Sequence, residues 1–102
     1  MTTVDLLVEA IEGKKSISFA YHGFDRVVSP YACGLNNANE LKLLAMQTDG
    51  GSTSGITHKL RFYTITDIQA PELSAAAYEA PCESAVEPAL KEFMKLYAKS
   101  AA

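Results

Sequence analysis

Apolar and polar positions recur with two different periods along this chain, and the change of period predicts its first elements. The first thirteen residues carry apolar side chains at helical spacing: Val4, Leu7, Val8 and Ile11. A threonine at position 2 or 3 can cap the start of this helix, and Gly13 can end it. From Ser16 the period becomes two, and one face of the resulting strand is apolar: Ile17, Phe19 and Tyr21. We therefore expect a short helix followed by a half-buried strand.

Two more strands are predicted after a turn at residues 23–25. Residues 26–35 favour a strand in which Pro30 requires an edge position or a bulge, because proline cannot donate to a strand ladder. Residues 36–39 are rich in asparagine, which tolerates left-handed backbone, so a second turn is expected there. The apolar run 41–46 then predicts a central strand. The first two strands should form a hairpin.

A fourth strand is predicted from about residue 57 to residue 65, with a short continuation through Ile68. Its alternation places two triplets on opposite faces: Lys59, Arg61 and Tyr63 on one, and Leu60, Phe62 and Thr64 on the other. The glycine-rich residues 49–55 before it have no apolar periodicity, and they lack the Lys-Ser/Thr ending of a phosphate-binding loop. We expect that segment to be a mobile connection between strands.

Alanine, glutamate and lysine dominate the chain beyond Pro71. An apolar stripe at helical spacing runs through this part: Val86, Leu90, Phe93 and Tyr97. It predicts a C-terminal helix with Pro88 in its first turn. Lys91, Lys95 and Lys99 would share one face of this helix, which could meet phosphate or an acidic partner or remain solvated. The predicted order is a helix, four or five antiparallel strands, and a second helix.

Length and composition indicate one globular domain over residues 1–102, because a chain of this size has no room for two cores. No apolar run approaches the roughly 20 residues that span a bilayer, and the first residues lack the basic start of a secretory signal, so a cytoplasmic protein is expected. Both cysteines are expected to be reduced thiols. The net charge of −3 argues against tight binding of nucleic acid by the whole surface, although basic side chains could still gather on one face.

The segment of residues 10–31 resembles the opening of a WYL domain. It has the strand pattern Ile-x-Phe-x-Tyr at residues 17–21, then a glycine turn, Arg26, and a Val-x-Pro step that ends at Pro30. The tract that names the family aligns with Leu-Lys-Leu at residues 41–43, so Trp and Tyr are absent here. The closing strand of the family pattern aligns with residues 61–68. Arg61 matches the first arginine of that pattern, while Thr64 and Asp67 replace the other two.

The resemblance covers residues 4–70 and implies a mainly β fold, an Sm-like small β-barrel of about five antiparallel strands with an N-terminal helix. Residues 71–102 would then be a C-terminal helical extension. For function it implies a bacterial ligand-sensing or regulatory module of the kind often joined to a DNA-binding helix-turn-helix in transcription regulation. We expect no such segment before Met1. The expectation is a sensing module alone, acting beside a separate DNA-binding or regulatory protein or as a homo-oligomer.

Six basic and aromatic side chains form the predicted binding site: Tyr21, His22, Arg26, Lys59, Arg61 and Tyr63. Cations beside aromatic rings suit a phosphate and a stacked base, which favours single-stranded nucleic acid or a nucleotide-like anionic effector. Arg26 and Arg61 are the principal candidates for contact with the anion. The loss of Trp, Tyr and two arginines from the family pattern also leaves a changed ligand, or none, as an alternative.

Structural roles compete with binding for these side chains. Tyr21 lies on the apolar face of its strand and can be a core aromatic with a satisfied hydroxyl. Arg26 can pair with Asp25 or Asp67, and Arg61 can lie on a solvated face with Lys59. The alternative function is a protein-interaction or oligomerisation module with no small ligand, built on strand edges and the C-terminal helix.

Catalytic and metal chemistry have few candidate residues. His22 and His58 are the only histidines, and no local motif joins either of them to Cys33 as a nucleophile and base. A structural zinc site needs four Cys or His ligands at short spacings, which this chain does not have. We therefore expect a non-enzymatic protein without metal or cofactor.

Overall fold

Six strands and two helices make up the part of the chain that the computed structural model describes, residues 2–50, 59–79 and 83–99. In chain order they are α1 (Thr3–Gly13), β1 (Ile17–Tyr21), β2 (Phe24–Asn36), β3 (Leu41–Gly50), β4 (Lys59–Thr64), a 3-10 turn (Ile65–Asp67), β5 (Gln69–Leu73), α2 (Glu83–Leu90) and β6 (Phe93–Lys99). All strand pairs are antiparallel, so the fold is mainly β, as predicted. Within these ranges neither helix has the length and apolar character that crossing a membrane requires.

Helix α1 is capped at both ends by local interactions. The Thr2 hydroxyl accepts the Asp5 N–H at 3.1 Å, and the Asp5 carboxylate accepts the Thr2 N–H at 3.3 Å, which together form a capping box. Lys14 ends the helix in left-handed backbone with φ of 53°. The predicted helix and its threonine cap are confirmed. Its buried side chains, Leu7 among them, face the sheet, where α1 lies against β2, β5 and β6.

The thirteen-residue strand β2 organises the sheet, whose order is β4-β3-β2-β1-β5 with β6 paired to β2. The first part of β2 pairs with β1, and its last part, from Ala32 to Asn36, pairs with β6. Along β3 the register shifts between Pro30 and Ala32, which confirms the bulge expected at this proline. In the described ranges no pairing joins β4 to β5 or β6, so the sheet is open.

The C-terminal part corrects the predicted long helix. Helix α2 ends at Leu90, and the chain then forms strand β6 on the edge of β2. The prediction that Phe93 and Tyr97 continue the helix was wrong, because pairing with β2 satisfies backbone groups that the sequence pattern does not reveal. The shared helical face of three lysines was wrong for the same reason, since Lys95 and Lys99 lie in β6.

Two apolar clusters lie on opposite faces of the sheet. Along β3, Leu43 and Ala45 belong to the first cluster and Leu44 to the second, as the alternation of a strand requires. We call the face that α1 covers the inner face; its buried residues are Leu7, Ala10, Ile11, Ile17, Phe19, Tyr21, Val28, Cys33, Leu43, Ala45, Tyr63, Ile65, Ile68 and Ala98. The outer face carries the smaller cluster with α2: Tyr31, Ala32, Leu44 and Val86.

Cys33 lies fully buried in the inner cluster, and burial raises the pKa of its thiol from 9.0 to about 11. In a Cys82→Ser variant, where Cys33 is the remaining thiol, we expect iodoacetamide at pH 8 to react at least about 100-fold more slowly with the folded than with the urea-unfolded protein, since fewer thiolates form. Because the unfolded chain ionises first, this thiol should also lower the stability as the pH rises from 9 to 11. Equal labelling rates would contradict the buried position.

Candidate anion-binding site

Arg26 is a buried cation on the inner face of β2. It lies opposite Phe19 of β1, and only 3% of its surface is exposed. Its guanidinium carbon is 5.1 Å from the ring centroid of Tyr21, 5.7 Å from that of Tyr63 and 5.8 Å from that of Phe24. These are cation–π distances. Three aromatic rings therefore surround the charge.

The rings beside Arg26 belong to one packed aromatic cluster. Tyr21 and Tyr63 meet edge to face at 5.0 Å, and Phe19 lies 5.3 Å from Tyr63 and 6.2 Å from Tyr21. The Tyr21 hydroxyl accepts the Thr64 N–H at 3.0 Å, and the Tyr63 hydroxyl donates to Gln47 Oε1 at 3.3 Å. Tyr21 is thus a core aromatic with a satisfied hydroxyl, and the same ring contacts Arg26.

The pKa of the Tyr63 phenol is affected by burial and by positive charges. Burial raises the pKa of its phenol, while hydrogen bonding by Arg26 and the positive charges of Arg26 and Arg61 act in the opposite direction. Burial is the larger effect, so the phenol stays protonated at neutral pH.

The predicted partners of Arg26 do not pair with it. Asp67 Oδ2 lies 3.2 Å from His22 Nε2, and Asp25 is exposed on β2. Among the residues that the structure describes, the buried Nε of Arg26 has no hydrogen-bond partner. A buried donor in this state costs about 1–3 kcal/mol, and more when the group is charged. The site therefore contains a buried N–H donor for which no described residue supplies an acceptor.

His22 lies at the solvent-exposed edge of the site. With φ of 50° at His22 and 84° at Gly23, these residues make a two-residue hairpin turn that joins β1 to β2. The turn predicted at residues 23–25 was therefore displaced, since Phe24 already pairs with Tyr21. The imidazole stacks on the Tyr21 ring at 4.0 Å, and about half of it is exposed.

Strand β4 places Tyr63 in the inner cluster. Tyr63 is 1% exposed on the inner face, whereas Phe62 is 39% exposed on the outer face. Arg61 alternates with Tyr63 along β4 and is half-buried, and its solvated face with Lys59 stays an alternative prediction. The backbone of Lys59 lies in β4, but its side chain falls outside the described residues. Residues 51–58 also fall outside them, and with them His58 and most of the segment predicted to connect the strands.

Two contributors to the site were missed in the sequence. Phe24 was assigned to a turn, yet its ring flanks Arg26. Gln47 is a fully buried amide on the inner face and accepts the Tyr63 hydroxyl. The signal for Gln47 was present, because it continues the alternation of Leu43 and Ala45 beyond the predicted end of the strand.

Metal and nucleophilic chemistry find little support in the described ranges. No three His, Cys, Asp or Glu side chains there lie close enough to hold a metal ion. Cys33 lies beside Ala98 in the inner cluster, with a thiol that burial keeps protonated. The arrangement around Arg26 is instead suited to binding an anion beside aromatic rings.

No protein-family model, curated protein or solved structure matches the chain. The resemblance to the WYL domain therefore stays a prediction that rests on the motif residues themselves, such as Arg26 and Pro30.

Proposed function

We propose that this chain is a non-catalytic ligand-sensing or regulatory module that binds a nucleic acid or a nucleotide-like anionic effector. The observation that carries the proposal is the environment of Arg26, which is 3% exposed and has three aromatic rings around its guanidinium. No described residue accepts a hydrogen bond from its buried Nε. An anion at this position would satisfy both the charge and the donor.

The energetics favour an anionic ligand over an empty site. Removing a guanidinium from water is energetically unfavourable, and each cation–π contact offsets this penalty by only about 0.5–2 kcal/mol. A charge-assisted hydrogen bond from Arg26 to a phosphate or carboxylate is worth about 1.5–3 kcal/mol. The bound state should therefore be the more stable one, which is the basis of a sensor.

Aromatic side chains at the border of the site suit a base. Phe24 is 37% exposed and flanks the guanidinium, and the imidazole of His22 is half-exposed above Tyr21. Stacking on such rings contributes about 1–3 kcal/mol per base and tolerates many sequences. A phosphate at Arg26 with a base outside it fits the two halves of a nucleotide.

The resemblance to WYL domains extends this proposal to the setting of the protein. It supports a cytoplasmic module of Sm-like type in transcription regulation, working with a separate DNA-binding or regulatory protein. The described strands of this module form an open sheet and not a closed barrel. Arg26 and Arg61 carry the resemblance and the site alike.

Fluorescence anisotropy of labelled single-stranded DNA and RNA tests the proposal. We expect wild-type protein to bind at 50 mM salt and to bind more weakly at 200 mM, because phosphate contacts release counterions. Arg26→Gln should weaken binding by at least about tenfold through the lost charge-assisted hydrogen bonds. Nucleoside phosphates serve as competitors in the same assay.

A Lys15→Gln variant controls for the loss of one positive charge. Lys15 is exposed just before β1, whereas the site lies at the other end of that strand. Binding should be nearly unchanged in Lys15→Gln, and circular dichroism should show both variants folded. Absence of binding by wild type at low salt, to strands and to nucleoside phosphates, would refute the proposed function.

A further inference from the structure

A polar cavity lies beside the β1–β2 hairpin, at the point where the 3-10 turn comes back to it. Its volume is about 370 Å³, and five residues line it: His22, Gly23, Thr66, Asp67 and Gln69. His22 and Asp67 are 45 residues apart in the sequence, and the contact of Nε2 with Oδ2 at 3.2 Å joins their two segments. We propose that this cavity binds the base of the ligand and that the base is guanine; this step rests on the proposed function.

The imidazole of His22 gives a base a surface on which it can stack. One face of the imidazole lies on the Tyr21 ring, with centroids 4.0 Å apart and planes 23° apart. Because 55% of the His22 side chain is exposed, the other face is open to a ligand. The Tyr21 ring also contacts the Arg26 guanidinium at 5.1 Å, so a base stacked on His22 lies beside the proposed anion site.

The Asp67 carboxylate determines which part of a ligand can bind in the cavity. A carboxylate repels a phosphate and accepts hydrogen bonds, so the group beside it has to present N–H donors. An ionised carboxylate has about four acceptor positions, and His22 is the one described partner of the Asp67 carboxylate. Half of the Asp67 side chain is exposed, so the remaining acceptor positions can reach a ligand.

Guanine is the base that fits this acceptor. Its Watson–Crick edge carries two neighbouring donors, N1–H and the N2 amino group, which can pair with both oxygens of one carboxylate. On the same edge adenine and cytosine have one amino donor beside an acceptor nitrogen, while uracil and thymine have one N–H between two carbonyl oxygens. An acceptor that faces a carboxylate oxygen is repelled, so Asp67 disfavours these four bases. The exposed Gln69 amide lines the same cavity and can donate to the adjacent O6 of guanine.

Isothermal titration calorimetry with the wild-type protein compares the 5′-monophosphates of guanosine, inosine, adenosine and cytidine. Inosine is the most informative comparison, because its base is guanine without the N2 amino group. We expect the guanosine nucleotide to bind at least about tenfold more tightly than each of the other three, through the bidentate contact with the carboxylate. Fluorescence anisotropy of a thymidine strand with one central guanine or one central hypoxanthine measures the same preference within a strand.

Three variants separate the roles of the cavity residues. Asp67→Asn replaces one acceptor oxygen by an amino group and should lower the ratio of guanosine to inosine affinity to below threefold. Asp25→Asn is the matched control, because Asp25 is an exposed carboxylate on the same hairpin that does not line the cavity, and it should leave the ratio unchanged. His22→Asn tolerates the left-handed backbone at φ of 50° but lacks the ring, so all four nucleotides should bind at least about fivefold more weakly.

The outcomes separate this inference from the proposed function. Binding in which guanine has no advantage over hypoxanthine, in nucleotides and in strands alike, would reject the guanine assignment and keep the proposed function. A guanine preference that Asp67→Asn does not lower would also reject it. Binding of no nucleotide and no strand would reject the proposed function as well. A guanine preference seen in one ligand form alone supports the inference and identifies a free nucleotide or a strand as the source of the base. Because the cavity residues are exposed, circular dichroism should show all three variants folded.

Discussion

Replacement of Gly34 by valine is expected to lower the free energy of unfolding by about 3 kcal/mol or more, through overpacking against rigid backbone. Gly34 pairs with Leu96 where β2 meets β6. A Cβ atom there would overlap the Lys95 carbonyl oxygen and lie 2.9 Å from the Leu96 Cα. Backbone atoms cannot rotate away as a side chain can, so β6 has to leave its place. Urea unfolding followed by circular dichroism measures the change.

Gly13→Ala is the matched control for this substitution. A Cβ at Gly13 would meet only the flexible Lys15 side chain at 3.4 Å, in the last turn of α1. Alanine in a helix is about 0.5–1 kcal/mol better than glycine, so this variant should be as stable as wild type or slightly more stable. Equal unfolding midpoints for the Gly34 and Gly13 variants would contradict the close approach of β2 and β6.

Phe19→Ala is expected to cost about 3–5 kcal/mol, because it leaves a cavity in the inner cluster. Phe19 is 3% exposed, and its ring supports both tyrosines that contact Arg26. The same urea titration, with tyrosine fluorescence as a second signal, measures the loss. Because only the folded protein binds, the variant should also bind anions more weakly than wild type under conditions that leave part of the variant unfolded.

Phe62→Ala removes an equal ring from the other face. Phe62 is 39% exposed, and its one described ring contact is with Phe93 at 5.6 Å, so a cost of about 1 kcal/mol is expected from the smaller area it buries. A cost for Phe19→Ala no larger than that for Phe62→Ala would show that the inner cluster is not the main core.

Local patterns were sufficient for the first half of the fold. The capping box at Thr2 and the helical spacing of α1 are properties of neighbouring residues, and so is the alternation that buries Ile17, Phe19 and Tyr21. For the same reason the bulge beside Pro30 was predictable, since proline lacks the N–H that a ladder requires.

The candidate site was predictable only in part, because Phe24 and Gln47 were missed. Alternation correctly placed Arg61 and Tyr63 on one face of a strand. It did not show that this face is the inner one, because a period of two says which residues share a side and not which side is covered. Arg26 was predicted to contact an anion, with pairing to Asp25 or Asp67 as the alternative. Its burial among three rings depends in part on Tyr63 of β4, a strand distant in sequence.

The sequence by itself determined the first helix, the positions of four strands and the residues that share each strand face, because capping and periodicity are local. Only the tertiary structure decided that Phe93–Lys99 is a strand and that β2 pairs with β1 along its first part and with β6 along its last part. It also decided that Asp67 pairs with His22 instead of Arg26. These outcomes depend on which backbone edges and charges meet in space, and such contacts between distant segments leave no period in the chain.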